Sequence, residues 1–194
     1  LRFFGLLITF AVVITDRAST KAPYYRLPMK RTLLSLLALL MTTLCYAQDL
    51  PQATVRDLSG KPVETSTFLQ SGKPFIVTFF GTWCKPCLRE LDAIQEVYAD
   101  WQRETGVTLY AISIDEGPDI QKVRPTVHAH GWEFVVLTDT NSDLKRAMNV
   151  SAVPALFIFD GSGTLLDRRT GYVEGSEGQI LQILREAVAS APKK

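Results

Sequence analysis

Cys84 and Cys87 stand two residues apart in Trp83-Cys84-Lys85-Pro86-Cys87, and the pattern around them decides what such a pair can do. The apolar run Pro74-Phe75-Ile76-Val77-Thr78-Phe79-Phe80 precedes them and reads as a buried strand. A Gly81-Thr82 turn follows, then apolar residues at helical spacing: Leu88, Leu91, Ile94, Val97, Tyr98 and Trp101. Cys84 is therefore expected at a helix N-terminus, where unpartnered N–H groups and the helix dipole favour negative charge. Such positions lower a cysteine pKa from about 8.5 to roughly 3.5–7.5. Cys84 is the candidate nucleophile. Cys87, one turn further in, is the candidate resolving thiol that attacks a mixed disulfide on Cys84 and releases the reduced partner. Pro86 suits a first helical turn, where a missing N–H costs nothing, and Lys85 brings a cation near the thiolate. The competing readings are a structural disulfide and half of a zinc site. A zinc site needs about four ligands, and the sequence has no second Cys pair.

The segment Phe79-Phe80-Gly81-Thr82-Trp83-Cys84-Lys85-Pro86-Cys87 resembles the active site of thioredoxin-fold proteins. It is similar to the TlpA/ResA-like extracytoplasmic thiol–disulfide oxidoreductases, from about Gln52 to about Ala189. Ser151-Ala152-Val153-Pro154, ahead of the strand-like Ala155–Phe159, is a second match. The resemblance implies that Pro154 is cis and packs beside the cysteines, and that the Val153 backbone pairs with an extended substrate segment. A proline that merely opens a strand is the other reading. In thioredoxins a buried aspartate lies six residues before the first cysteine. Thr78 occupies that position here and cannot take a proton. ResA-like proteins have a glutamate just after the second strand, and Ile114-Asp115-Glu116 fits that place. Glu116 is the candidate proton acceptor, with Asp115 as the other choice or a solvated loop acid as the plain one. Trp83 is expected to cover the sulfurs and shape the partner surface. Gly171-Tyr172 resembles a family loop near the cis-proline.

The fold class read from these elements is α/β. It is a thioredoxin-like fold with a central mixed β-sheet flanked by helices, an N-terminal hairpin and an insertion before the third core strand. The hairpin is expected at 53–58 and 62–63, around Ser59-Gly60-Lys61. Strands at 75–80 and 107–114 with the helix at 84–103 make a parallel βαβ unit, and that helix is expected to put Glu90, Asp92, Gln95, Glu96 and Asp100 toward water. A helix at 119–130 stops at Gly131, with Pro125 arguing for a kink or a later start. A strand at 134–137, a short helix at 141–148 with polar capping candidates, and a hairpin at 155–159 and 165–169 follow. The last helix opens at Ser176 with Gln179 completing a capping box.

The chain has 194 residues and a formal net charge of +1. Residues 29–47 read as a signal peptide: Met29-Lys30-Arg31, the apolar stretch Leu33–Met41, and Ala47 as the cleavage position. Residues 1–28 read as an over-extended start, and the apolar Phe3–Ile14 stretch falls short of the ~20 residues a span needs. Cys45 would want a small residue before it to carry a lipid, and Leu44 is there instead. Cleavage after Ala47 would remove Cys45, leave residues 48–194 as the thioredoxin-like domain, and deliver it outside the cytoplasm; an uncleaved membrane anchor is the other outcome. It would strip Arg2, Arg17, Lys21, Arg26, Lys30 and Arg31 but only Asp16 among the acids, leaving no basic patch for nucleic acid.

The expected activity is reduction of disulfides in partner proteins through a CxxC dithiol/disulfide cycle, with no cofactor and no metal. The resemblance implies apo-cytochromes or metallochaperones as partners and a membrane-embedded thiol donor, and the chain is expected to be a monomer. Two other functions compete. A thiol peroxidase would want a Thr or Ser just before a single nucleophilic Cys, which the paired cysteines oppose. A metal carrier would use Cys84, Cys87 and a histidine; His128 and His130, two apart on a helix, point away from each other.

Overall fold

Six consecutive apolar or β-branched residues cannot all face one way in a strand, so both faces of Phe75–Phe80 must be covered. That strand, β3, lies inside a seven-stranded mixed sheet in a computed structural model that describes residues 49–69 and 71–191. The residues read as an over-extended start and a signal peptide lie outside the described residues, and the described ones fall within one unit, Ala47–Lys194. The strands are β1 (Thr54–Asp57), β2 (Pro62–Glu64), β3, β4 (Thr108–Ser113), β5 (Val135–Thr138), β6 (Ala155–Phe159) and β7 (Leu165–Thr170). Their spatial order is β2-β1-β5-β4-β3-β6-β7. β3 runs parallel to β4 and antiparallel to β6, and β4 runs parallel to β5. The described helices are α1 (Lys85–Thr105), α2 (Ile120–His130), α3 (Asp143–Ala147) and α4 (Glu177–Ser190).

Alternation along β3 sends Ile76 and Phe80 to one face, with Leu109, Leu156 and Ile158, where Leu91, Ile94 and Trp101 of α1 and Ile180 and Leu184 of α4 cover them. Phe75, Val77 and Phe79 go to the other face, with Ile112, Phe157 and Phe159. Phe68, from the 3₁₀ turn Thr65–Leu69, and Leu144 of α3 close that side. Each such side chain contributes about 1.5–3 kcal/mol on burial. The expected hairpin is β1–β2, and it joins the sheet through β5, antiparallel to β1. The stretch between β4 and β6 thus supplies both α2 and the strand on which the hairpin docks. At the two rims, β2 is three residues long and opens on Pro62, while β7 alternates half-buried with exposed residues and carries Asp167, Arg168 and Arg169.

Local chemistry accounts for the differences from expectation. α2 runs through Pro125 and starts at Ile120, without the later start that the proline argued for. α3 is shorter than 141–148, and its cap is Asp139, whose carboxylate accepts from the N–H groups of Asp143 and Lys145 at 3.0 and 2.8 Å. The capping box at α4 does not form, because Ser176 has helical φ/ψ and its side chain makes no cap bond. α1 ends at Gly106 with φ 70°, a left-handed conformation that glycine adopts without strain.

Candidate active site

Cys84 caps α1, with φ −92° and ψ 92°, and its sulfur accepts the N–H of Cys87 at 3.3 Å. Pro86 lies in the first turn, where its missing N–H leaves nothing unpaired. The two sulfurs form a disulfide, with Cα atoms 5.3 Å apart. Cys84 is 6 % exposed and Cys87 fully buried, so an incoming group meets Cys84 first. The Val153–Pro154 peptide bond is cis, and the Val153 carbonyl oxygen lies 3.9 Å from the Cys84 sulfur. The Gly171 N–H donates to the Pro154 carbonyl at 2.8 Å, which ties the end of β7 to this loop. Trp83 is 62 % exposed. Its indole lies on Gly81, where a Cβ would come within 2.6 Å of the ring, so only glycine fits beneath it. A cleft of about 540 Å³ runs from Trp83 past Pro118, just before α2, to Lys122 and Pro125 of α2.

About one turn along α1 from Cys87 is a carboxyl that the polarity pattern assigned to water. Glu90 is 6 % exposed, not on the wet face of α1. The buried face of that helix is Cys87, Glu90, Leu91, Ile94, Tyr98 and Trp101, and Glu90 falls three residues after Cys87 in that series. The fully buried Thr78 donates its hydroxyl to Glu90 Oε2 at 3.1 Å. Thr78, which cannot itself take a proton, thus anchors a carboxyl delivered from the helix. Burial pushes Glu90 up to about 7, against the lowering pull of the Thr78 bond and of Arg169.

A family model described as the AhpC/TSA family matches residues 46–168. The chain belongs to the AhpC/TSA family. It is 31 % identical over 139 residues to the thiol-disulfide oxidoreductase ResA of Bacillus thuringiensis subsp. konkukian, covering 72 % of this chain and 76 % of that protein. ResA of Geobacillus kaustophilus is 29 % identical over 130 residues, covering 67 % of this chain and 72 % of that protein. The solution structure of an uncharacterized thioredoxin-like protein from Porphyromonas gingivalis is 54 % identical, with a TM-score of 0.66 over 76 % of this chain and 96 % of that one. The crystal structure of a putative thiol:disulfide interchange protein DsbE from Chlorobium tepidum shares the fold at 20 % identity and a TM-score of 0.65, over 73 % and 96 % of the two chains. With these relatives and its own CxxC pair closed at a helix cap, this AhpC/TSA-family chain is a thiol–disulfide oxidoreductase.

The two loop acids, Asp115 and Glu116, lie in different surroundings. Glu116 is exposed and accepts a bond from Ser142 Oγ at 3.2 Å, so it lacks the burial that made it attractive as a proton acceptor. Asp115 is the buried acid, 1 % exposed. Its carboxylate accepts Thr82 N–H at 3.0 Å, Thr82 Oγ1–H at 2.7 Å and Ser113 Oγ–H at 2.8 Å. It clamps the turn that presents Trp83 and Cys84 to the end of β4. Replacing Asp115 with Ala leaves the buried Ser113 hydroxyl and the half-buried Thr82 donors without their acceptor, at about 1–3 kcal/mol for a buried donor and less where water reaches it. The expected outcome is a loss of roughly 2–3 kcal/mol in urea unfolding together with slower exchange, since the cysteine turn loses its tether. Unchanged stability would remove the clamp. Among the described residues no group of three or more His, Cys, Asp or Glu side chains is placed to hold a metal. His130 Nδ1 instead lies 2.7 Å from Asp92 Oδ1, which also accepts Trp132 Nε1–H at 2.8 Å.

Proposed function

We propose that this protein reduces disulfides in partner proteins outside the cytoplasm, with Cys84 as nucleophile and Cys87 as resolving thiol. The observation that carries the reading is the Cys84 sulfur at the cap of α1, bonded by the Cys87 N–H and the more exposed of the pair. In the reduced protein the Cys84 thiolate attacks one sulfur of a partner disulfide. A mixed disulfide forms, and the other partner sulfur leaves as a thiolate and takes a proton from water. Glu90 then takes the proton from the Cys87 thiol. The Cys87 thiolate attacks Cys84, the Cys84–partner bond breaks, and the second partner sulfur leaves. Two electrons pass from the dithiol to the partner, and no other cofactor enters. Glu90 replaces Glu116 in this role because it is buried on the Cys87 face of α1 and holds its proton near neutral pH, as an acid–base group must.

The Val153 backbone beside the Cys84 sulfur is the strand-like edge on which a partner segment aligns, with cis Pro154 withholding an N–H there. Trp83 covers the approach, and Lys85, exposed in the first turn, adds positive charge. The partner class implied by the resemblance is disulfide-bearing proteins such as apo-cytochromes or metallochaperones. A membrane thiol donor re-reduces the pair, and the protein works as a monomer. Extracytoplasmic location rests on the resemblance and on the signal-like pattern at 29–47; among the described residues no helix is long and apolar enough to cross a membrane.

Two measurements test the reading. Cys87→Ser should hold partner disulfides as mixed disulfides on Cys84, in stoichiometric yield with a purified disulfide-bearing substrate and released by dithiothreitol. Equilibration of the wild-type pair against glutathione should give a potential near the thioredoxin value of about −270 mV rather than the about −120 mV of a strong oxidant. A value at the oxidising end reverses the proposed direction.

A further inference from the structure

Glu90 does not sit in a sealed core. Its Oε2 is held by Thr78, whereas Oε1 takes no hydrogen bond from the described residues, and no fully buried side-chain oxygen or nitrogen among them lacks a partner. Oε1 is therefore open to a cleft of about 480 Å³ walled by Glu90, Arg169, Gly171, Ser176 and Gln179. The strand register explains who faces Glu90 across it. Thr78 pairs with Leu156 and Leu156 with Arg169, so the three lie in one row across β3, β6 and β7. Leu156 belongs to the cluster beneath α1 and α4, which puts the whole row on that face. Thr78 and Arg169 are two strand spacings apart, about 10 Å between backbones, a gap that a long Arg side chain and a Glu reaching down from α1 can share. The guanidinium is fixed there: Nε donates to Asp167 Oδ2 at 2.7 Å and an Nη to the Ser176 carbonyl at 3.5 Å.

We propose that Arg169 is a positioning residue for the exchange reaction: its guanidinium, held at the wall of the cleft onto which Glu90 opens, sets how readily that carboxyl takes and returns the proton of Cys87. The inference rests on the role given to Glu90 above. The groups around Glu90 are Arg169 and Asp167 of β7 and Glu174 of the following loop, which line the cleft, and Tyr172 of that loop and Glu177 of α4, which act on it by charge, with Thr78 of β3 as the one direct bond among the described residues. Tyr172 is occupied, since its hydroxyl donates to Glu177 Oε1 at 3.0 Å. Among the described residues Arg169 is thus the one cation lining the cleft, beside the carboxylates of Glu90, Asp167 and Glu174. Arg169 lowers the proton affinity of Glu90 against burial and Glu177, which raise it, so its loss leaves a larger share of Glu90 protonated at neutral pH and unable to accept from Cys87. Arg169 acts through water and a shared cleft, so its effect is on proton affinity and not on the position of the sulfurs.

The experiment is the pH profile, from pH 5 to 9, of iodoacetamide alkylation of Cys87 in the Cys84→Ser background of the full chain. The lower inflection of that profile, near neutrality, reports Glu90. Arg169→Gln should move it up by about one pH unit. Arg169→Lys should restore it, and Glu177→Gln, which removes the carboxylate that raises Glu90, should move it down. The opposite signs separate a charge effect from loosened packing, and thermal unfolding confirms that each variant is folded. Superimposable profiles in the wild type, Arg169→Gln and Glu177→Gln overturn the inference. Glu90→Gln discriminates the two levels: if it leaves the lower inflection in place, the role of Glu90 itself fails. If it abolishes the inflection while the Arg169 variants do not move it, only the role of Arg169 fails.

Discussion

Cys84→Ser should abolish disulfide reduction, lowering the rate with a protein disulfide by on the order of 10³-fold or more, because a hydroxyl at neutral pH supplies no thiolate. The same variant should fold normally. Serine is a favoured N-cap residue, so its oxygen can take over the bond that the Cys84 sulfur accepts from Cys87 N–H at the head of α1. Reduced wild type and Cys84→Ser are therefore expected to unfold within about 1 kcal/mol of each other in urea. The contrast with Cys87→Ser is the diagnostic: that variant accumulates a covalent adduct, and Cys84→Ser accumulates none. If Cys84→Ser instead traps partners through Cys87, the order of the two sulfurs is reversed.

Glu90→Gln should flatten the pH dependence of stability. The folded chain holds the Glu90 carboxyl at about 7 against an ordinary 4.5, chiefly by burial. Between those values the folded state keeps a proton that the unfolded state has released. Stability must then fall as pH rises through that window, by up to ~1.4 kcal/mol per pH unit and ~3 kcal/mol in all. Glutamine keeps the shape and an acceptor for Thr78 but has nothing to ionise. At pH 4.5 the oxidised variant and wild type should unfold at similar temperatures. At pH 8 the variant should be the more stable by ~3 kcal/mol, several degrees in midpoint for a domain of this size. Parallel curves for the two proteins from pH 4.5 to 8 would place the Glu90 carboxylate in water.

These two predictions mark what the sequence discloses and what it hides. The apolar run 75–80, the helix stripe after it and the Cys-Lys-Pro-Cys spacing are local signals, and strand, cap and helix follow from them directly. β6 falls at Ala155–Phe159 for the same reason: five consecutive apolar residues bounded by Pro154 and Asp160-Gly161. Glu90 is hidden because a helical wheel sorts residues by polarity, and a lone acid on the apolar face counts as noise. Its spacing from Cys87 was the available signal: three residues on, in series with Leu91 and Ile94. Asp115 and Glu116 could not be told apart for another reason. They are adjacent at the end of β4, and which of the two turns toward the cysteine turn depends on where Thr82 sits, a contact made across 33 residues. Asp139 as the α3 cap is likewise visible only once the chain after β5 has folded back, with Ser142 at φ 55°.

The treatment of the sheet rims has a consequence for how partners are chosen. An unpaired strand edge recruits any extended polypeptide, and proteins that do so indiscriminately tend to aggregate. Here one rim is a three-residue strand opened by Pro62, and the other is studded with Asp167, Arg168 and Arg169. Neither invites casual zippering. Unfolded chains that still carry their own disulfides can therefore visit this enzyme at high concentration without adding to its margins. On the function proposed above, the stretch leading to Pro154 is the opening left for them, and the Val153 carbonyl there lies 3.9 Å from the Cys84 sulfur.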